Sequence, residues 1–183
     1  MAATLARQPA LCSEVASLCF VACKRSISVR NRHYFLQVGL VWLVVARLVA
    51  AVVGYLPARR LRIGAGDESR LSLLETYPWI RVGPWRDPRD GFDYGEALAR
   101  IRLPRAWLLA AAADPVLGHP RDVQRFAAEL SPAARCSLIG RDTGYSRDYS
   151  HIGILTEPSA ETELFPRVRD WLLAPGSGEF VGV

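Results

Sequence analysis

Features that would name a chemistry outright are missing from this chain. It has four cysteines, Cys12, Cys19, Cys23 and Cys136. Cys19 and Cys23 are four apart, but no second pair completes a zinc pattern, so no metal is expected. Buried free thiols in a reducing compartment are the simpler reading. No internal repeat or long low-complexity tract occurs. Lysine is nearly absent: arginine supplies all but one of the 23 basic residues. No basic stripe interleaves with aromatics, which argues against nucleic acid as a partner despite the formal net charge of +5.

What is present fits one domain, or most of one. The 183 residues are 50% hydrophobic, enough for a sizeable core. Met1 to about Gln8 reads as a helix, and Val15 to Cys23 as a buried strand. Ser26 to Arg32 reads as loop. His33 to Tyr55 is helical, closed by Gly54 and Pro57. Leu56 to Gly66 is irregular, and Ser69 to Tyr77 a short helix. Pro78 to Gly95 holds three prolines and is expected as loop or lid outside the core. Glu96 to Arg100 is a short helical turn.

The pattern then becomes regular. Ala106 to Ala112 reads as a buried strand. Pro120 to Leu130 is an amphipathic helix, with Val123, Phe126, Ala127 and Leu130 on one face. Cys136 to Ile139 is the next strand, and Gly140 to Ser150 a loop. Glu163 to Leu173 is a closing helix, and Pro175 to Val183 a loose tail. Strand, helix, strand, loop and helix in this order predict an α/β fold with a parallel sheet.

Two segments invite targeting readings. Met1 to Arg30 carries Arg and Ser with only Glu14 acidic, as a mitochondrial transit peptide does; a helix followed by a strand is preferred. Val38 to Leu56 is a 19-residue apolar stretch, near the length of a bilayer span. Arg47 lies close to its centre, at an insertion cost of about 2.5–3.5 kcal/mol. A helix packed on or near the sheet is therefore expected instead, with the chain in the cytoplasm. Membrane-associated and mitochondrial locations are the alternatives.

Asp114 and His151 are the candidate site. Asp114 follows the run Ala106-Trp107-Leu108-Leu109-Ala110-Ala111-Ala112-Ala113 and precedes Pro115. His151 lies in Asp148-Tyr149-Ser150-His151-Ile152-Gly153, beyond the next strand. In parallel sheets, functional groups gather where loops leave the carboxyl ends of strands. An acid there can fix the tautomer of a later histidine, which then serves as general base toward a nucleophile. Taken singly, Asp114 could be a turn residue before proline and His151 a surface histidine.

On these residues the chain resembles the α/β-hydrolase family, whose triad order is nucleophile, acid, histidine. The resemblance covers residues 101 to 173 through Ile101-Arg102-Leu103-Pro104, Leu108 to Val116, Asp148 to Gly153 and Phe165 to Leu172. His33 to Tyr94, with Gly54-Tyr55-Leu56-Pro57, is similar to the cap insertion of predicted hydrolases. Met1 to Arg7 matches the helix that follows the nucleophile elbow. The resemblance implies that Asp114 and His151 hold the triad roles, that no cofactor or metal is used, and that the substrate is a small ester, thioester or amide.

The departure is the nucleophile. No Gly-x-Ser-x-Gly occurs. Gly140-Arg141-Asp142-Thr143-Gly144 has a central aspartate, Ser146 lacks its second glycine, and both fall between Asp114 and His151. The resemblance thus implies a partial hydrolase fold: an incomplete parallel sheet, flanking helices and a helical cap. Residues 1–32 would be a core remnant, 33–100 the cap, 101–174 the core carrying Asp and His, and 175–183 the tail. The expectation is a truncated serine hydrolase, inactive as given. The alternatives are a single-span membrane or interaction protein anchored by residues 38–56, and a catalytically dead relative binding a ligand under the cap.

Overall fold

The computed structural model describes residues 1–64 and 66–174; the expected tail, 175–183, lies outside the described residues. Strand β4 (Arg105–Ala111) organises the rest. It lies between β1 (Ser17–Val21) and β5 (Arg135–Ile139) in a three-stranded parallel sheet, order β1-β4-β5. Its unbroken apolar run reflects cover on both faces. Trp107, Leu109 and Ala111 enter one hydrophobic cluster; Leu108 and Ala110 enter another. The alternation is the two-residue period of a strand. Leu108 and Leu109 are fully buried, worth about 1.5–3 kcal/mol each relative to exposure.

Helices supply that cover. On one face lie α5 (Pro120–Leu130), α1 (Ala2–Arg7) and α4 (Tyr94–Arg100), through Phe126, Leu130, Ala6 and Leu98. On the other lie α6 (Gly153–Thr156), α7 (Pro158–Glu163) and α8 (Phe165–Leu173), through Ile154, Ala160 and Trp171. The chain is therefore α/β, with a small parallel sheet between helices.

The long apolar stretch forms α2 (Tyr34–Val53). Its first part, Tyr34–Val45, winds as a π-helix, and Ala46–Val53 as an α-helix. Gly54 ends it at φ +90°, the left-handed position where a helix stops at glycine. A two-residue ribbon follows, β2 (Tyr55–Leu56) against β3 (Glu68–Ser69), so Tyr55 and Ser69 are strand residues where helix was expected and Leu56 where irregular chain was.

Several expectations change. The helix expected over Ser69 to Tyr77 is α3 (Arg70–Ile80), capped by the Ser69 hydroxyl and continuing through Pro78. Proline costs a backbone hydrogen bond there, and the helix stops two residues later. The segment 78–95 is not a lid outside the core. Tyr94 is buried, and Trp85 and Phe92 pack against the cluster of Phe126 and Leu98. Asp87 organises it: buried, it accepts from the Tyr94 hydroxyl at 2.7 Å and from Arg7 at 2.7 Å. Those bonds hold its carboxyl below the usual carboxylate range. The closing helix expected over Glu163 to Leu173 is α8, starting after buried Leu164 with Pro166 in its first turn, and the preceding α7 has no counterpart among the elements expected from the sequence.

Candidate functional site

The parallel strands β4 and β5 end together, Ala111 pairing Ile139, and β1 ends two residues earlier, Val21 pairing Leu109. Three loops therefore leave the sheet at one edge. Asp114 sits on the loop after β4 and His151 on the loop after β5.

The structure brings these two residues into contact. His151 Nδ1 lies 2.6 Å from Asp114 Oδ2. The Asp114 side chain is fully buried, and that of His151 is 29% exposed. Burial pushes the Asp114 carboxyl up. The hydrogen bond to His151 and the backbone N–H groups of Val116 and Gly118 oppose it and win, so the carboxyl stays below its ordinary range. An ionised carboxylate only accepts, so Nδ1 carries the proton. Nε2 of a neutral ring is then a lone-pair base. Among the described residues it has no hydrogen-bond partner. This tautomer and orientation suit a general base.

Local chemistry sets each partner. The Asp114 N–H donates to the Ala111 carbonyl at 3.2 Å, and Asp114 Oδ1 accepts from the Val116 N–H at 3.0 Å. This is an aspartate turn just past a strand. The Ala113 N–H donates to the Tyr149 carbonyl at 2.9 Å, tying one loop to the other. Tyr149 is fully buried, with its hydroxyl 2.8 Å from Ser159 Oγ. Asp148 accepts from the Arg141 N–H at 2.9 Å. A Cβ on Gly140 would lie 2.6 Å from Asp148 Oδ1, so only glycine leaves that carboxylate its place.

Gly118 is the tightest approach. A Cβ there would meet the Ala22 carbonyl oxygen at 2.3 Å and Asp114 Oδ2 at 2.9 Å. Ala22 itself has φ +48°, an uncommon conformation for a residue with a side chain. It turns the chain sharply out of β1 toward Cys23 and Lys24. These supporting residues carried no signal in the sequence, because each acts through a contact made in the fold.

A cavity of about 210 Å³ lies near this end, lined by Lys24, Trp42, Leu43, Arg47, Glu68, Ser72, Leu73, Thr76 and Ile80. It separates α2 from α3. Lys24 is the only lysine of the chain. Burial lowers its pKa, against the pull of Asp114, Cys23 and Asp122. Asp122 is buried on α5 and accepts from the Ser28 N–H and hydroxyl, so it pins the loop that carries Lys24.

The serines near the pair have other engagements. Ser150 Oγ accepts from the Gly153 N–H at 3.1 Å, and the Ser146 N–H donates to Glu163 at 3.1 Å. Asp142, the centre of the Gly140–Gly144 spacing, lies in a single turn of 3₁₀-helix. Cys19 is within β1 and Cys23 beyond it; all four cysteines are free thiols, but not the buried ones expected, since Cys23 is exposed and the others are half-buried.

Compared with known family models, curated proteins and solved structures, the chain matches none.

Proposed function

We propose that this chain is the acid-and-histidine half of an α/β-hydrolase, built for acyl transfer on an ester, thioester or amide. The observation that carries the reading is the 2.6 Å contact between His151 Nδ1 and buried Asp114, formed at the carboxyl edge of a parallel sheet. Asp114 is the residue that orients the ring, and His151 is the base. No Gly-x-Ser-x-Gly serine exists in the sequence to receive that base. On this reading the chain alone does not turn over substrate.

The placement of α1 supports the reading. This helix packs along the strands: Leu5 lies with Leu18 and Ala106, and Ala2 and Ala6 share the cluster of Leu108 and Ala110. In the hydrolase arrangement the serine elbow leads into such a helix, its hydroxyl at the helix start. On this reading the cavity beside Lys24 corresponds to the space beneath a cap.

A chimera tests the proposal. A strand–elbow segment containing Gly-x-Ser-x-Gly is placed ahead of Met1 and the folded product is treated with a fluorophosphonate probe. The expected result is labelling at the introduced serine, lost in His151→Ala and weakened in Asp114→Asn. A folded chimera that labels independently of His151, or not at all, sinks the proposal.

A further inference from the structure

The charges of this chain are segregated. From Val15 to Gly66 there is no aspartate or glutamate, while Lys24, Arg25, Arg30, Arg32, Arg47, Arg59, Arg60 and Arg62 all fall in that stretch. Arg30 and Arg32 stand exposed just before α2; Arg59, Arg60 and Arg62 stand exposed just after it. Among the described residues, Arg32, Arg59, Arg60 and Arg62 form no ion pair. The helix between them is as unusual. Phe35, Leu36, Leu40, Val44, Val45, Leu48 and Val52 are all exposed, Val52 at 87%. Only 17% of the apolar window in this helix is buried.

The π winding turns these residues into one face. A π-turn holds more residues than the 3.6 of an α-turn. Under α geometry Phe35, Leu40 and Val45 would spread around the helix; in the wider π-turn residues five apart stay on one side of it. Leu48 and Val52 extend the stripe along the α-helical end. The opposite side is the inward one: Val38 packs with Ile27 and Val116, and Ala46 and Ala50 pack with Leu56 and Ala58. So large a contiguous apolar face on a soluble surface marks an interaction site.

We infer that α2 lies in the plane of an anionic lipid surface, its apolar face among the acyl chains and the arginines that flank it in the chain on the headgroups. The pattern of an apolar stripe with cations beside it is that of an interfacial helix. Spanning the bilayer fits less well. It would strip Val38, Ala46 and Ala50 from their own core, bury Arg47, and leave cations on both sides, against the one-sided excess of a span. A second copy of the chain also fits poorly. A two-fold pairing through α2 would bring together two copies of a segment, Val15 to Gly66, that carries cations and no acid, like charge on like. Because Val38 and Val116 share a cluster, docking would hold the Asp114 loop beside the lipid. That consequence for substrate supply rests on the hydrolase reading; the docking does not.

The test is co-sedimentation of the full chain with phosphatidylcholine vesicles, with and without phosphatidylglycerol. Binding is expected to the anionic vesicles and to be weaker on the neutral ones. Replacing Arg59, Arg60 and Arg62 by serine is expected to weaken it by about a hundredfold, at about fivefold per cation. Leu40→Asp with Leu48→Asp is expected to lower it by about tenfold or more. Val52→Asp, at the most exposed of these positions, acts in the same direction with no packing to disturb, and Leu155→Asp, an exposed site on α6, changes nothing. Circular dichroism confirms that each variant is folded. Failure of the folded chain to bind anionic vesicles overturns the inference. So does binding indifferent to Val52→Asp, or equal on both vesicles. Association that resists alkaline carbonate overturns it in favour of a span. A soluble dimer dissociated by Val52→Asp, with no vesicle binding, overturns it in favour of a second copy.

Discussion

The backbone N–H of Ala113 donates to the carbonyl of Tyr149 at 2.9 Å, and this bond lies one residue before Asp114 and two before His151. It fastens the loops that carry the two side chains, so their contact does not depend on the side chains alone. Tyr149 is held in turn by its burial and by Ser159. Preorganisation of this kind removes the entropic cost of bringing an acid and a base together at the moment of use.

Asp114 should couple folding to acid. Its folded pKa lies below the unfolded one. It therefore adds stability that is fully present above the unfolded value of about 3.9 and is lost as pH falls through the folded value. Asp114→Asn is expected to be less stable than the wild type at pH 7 by about 1–3 kcal/mol, the cost of weakening a buried hydrogen-bonded acceptor. The gap should narrow as pH falls below about 4. Urea denaturation at pH 7 and below about pH 4 measures it; equal gaps at both would contradict the assignment.

Gly118→Ala should disturb the pair by crowding Asp114. The new Cβ meets the Ala22 carbonyl at 2.3 Å and Asp114 Oδ2 at 2.9 Å, and the backbone on one side cannot yield. A loss of about 1–3 kcal/mol is expected from the overpacking. The downfield proton resonance of the His151 Nδ1–H should move or vanish. Gly144→Ala is the comparison: nothing crowds it, and its φ of +84° costs about 1 kcal/mol with that resonance unchanged.

The buried Asp87 should tie α1 to the sheet. Tyr94→Phe removes a hydroxyl that donates to Asp87 at 2.7 Å, and Arg7→Ala removes the cation beside it. Both should lower Tm by clearly more than Arg100→Ala, which breaks an exposed pair with Glu96. Calorimetry of the three variants ranks them, and an equal or reversed ranking would mean that the network is ornamental.

The unmodified chain should not react with a fluorophosphonate and should not hydrolyse activated esters above the background of free imidazole. The probe needs a serine hydrogen-bonded to the base and an oxyanion site. Ser150 and Ser146 are engaged with Gly153 and Glu163. Stoichiometric labelling at either, lost in His151→Ala, would reveal a catalytic arrangement of another kind.

The sequence by itself determined the elements whose residues speak locally. The apolar run of β4, the face of α5 and the glycine stop at Gly54 depend on neighbours in the chain, so periodicity and conformational preference reveal them. The order of Asp114 and His151 past successive strands also made them the natural pair to examine. Only the tertiary structure decided what joins distant residues. The closeness of Asp114 to His151, the need for glycine at 118 and 140, the burial of Asp87 and Asp122, and the inclusion of 85–94 in the core are contacts between segments far apart in the chain. No local pattern encodes such a contact, because its energy comes from exclusion of water and from hydrogen bonds that form only once the chain has closed. The outward face of α2 belongs to both. Its apolar residues are plain in the sequence, but the π winding and the packing of Val38, Ala46 and Ala50 decide which of them meet solvent.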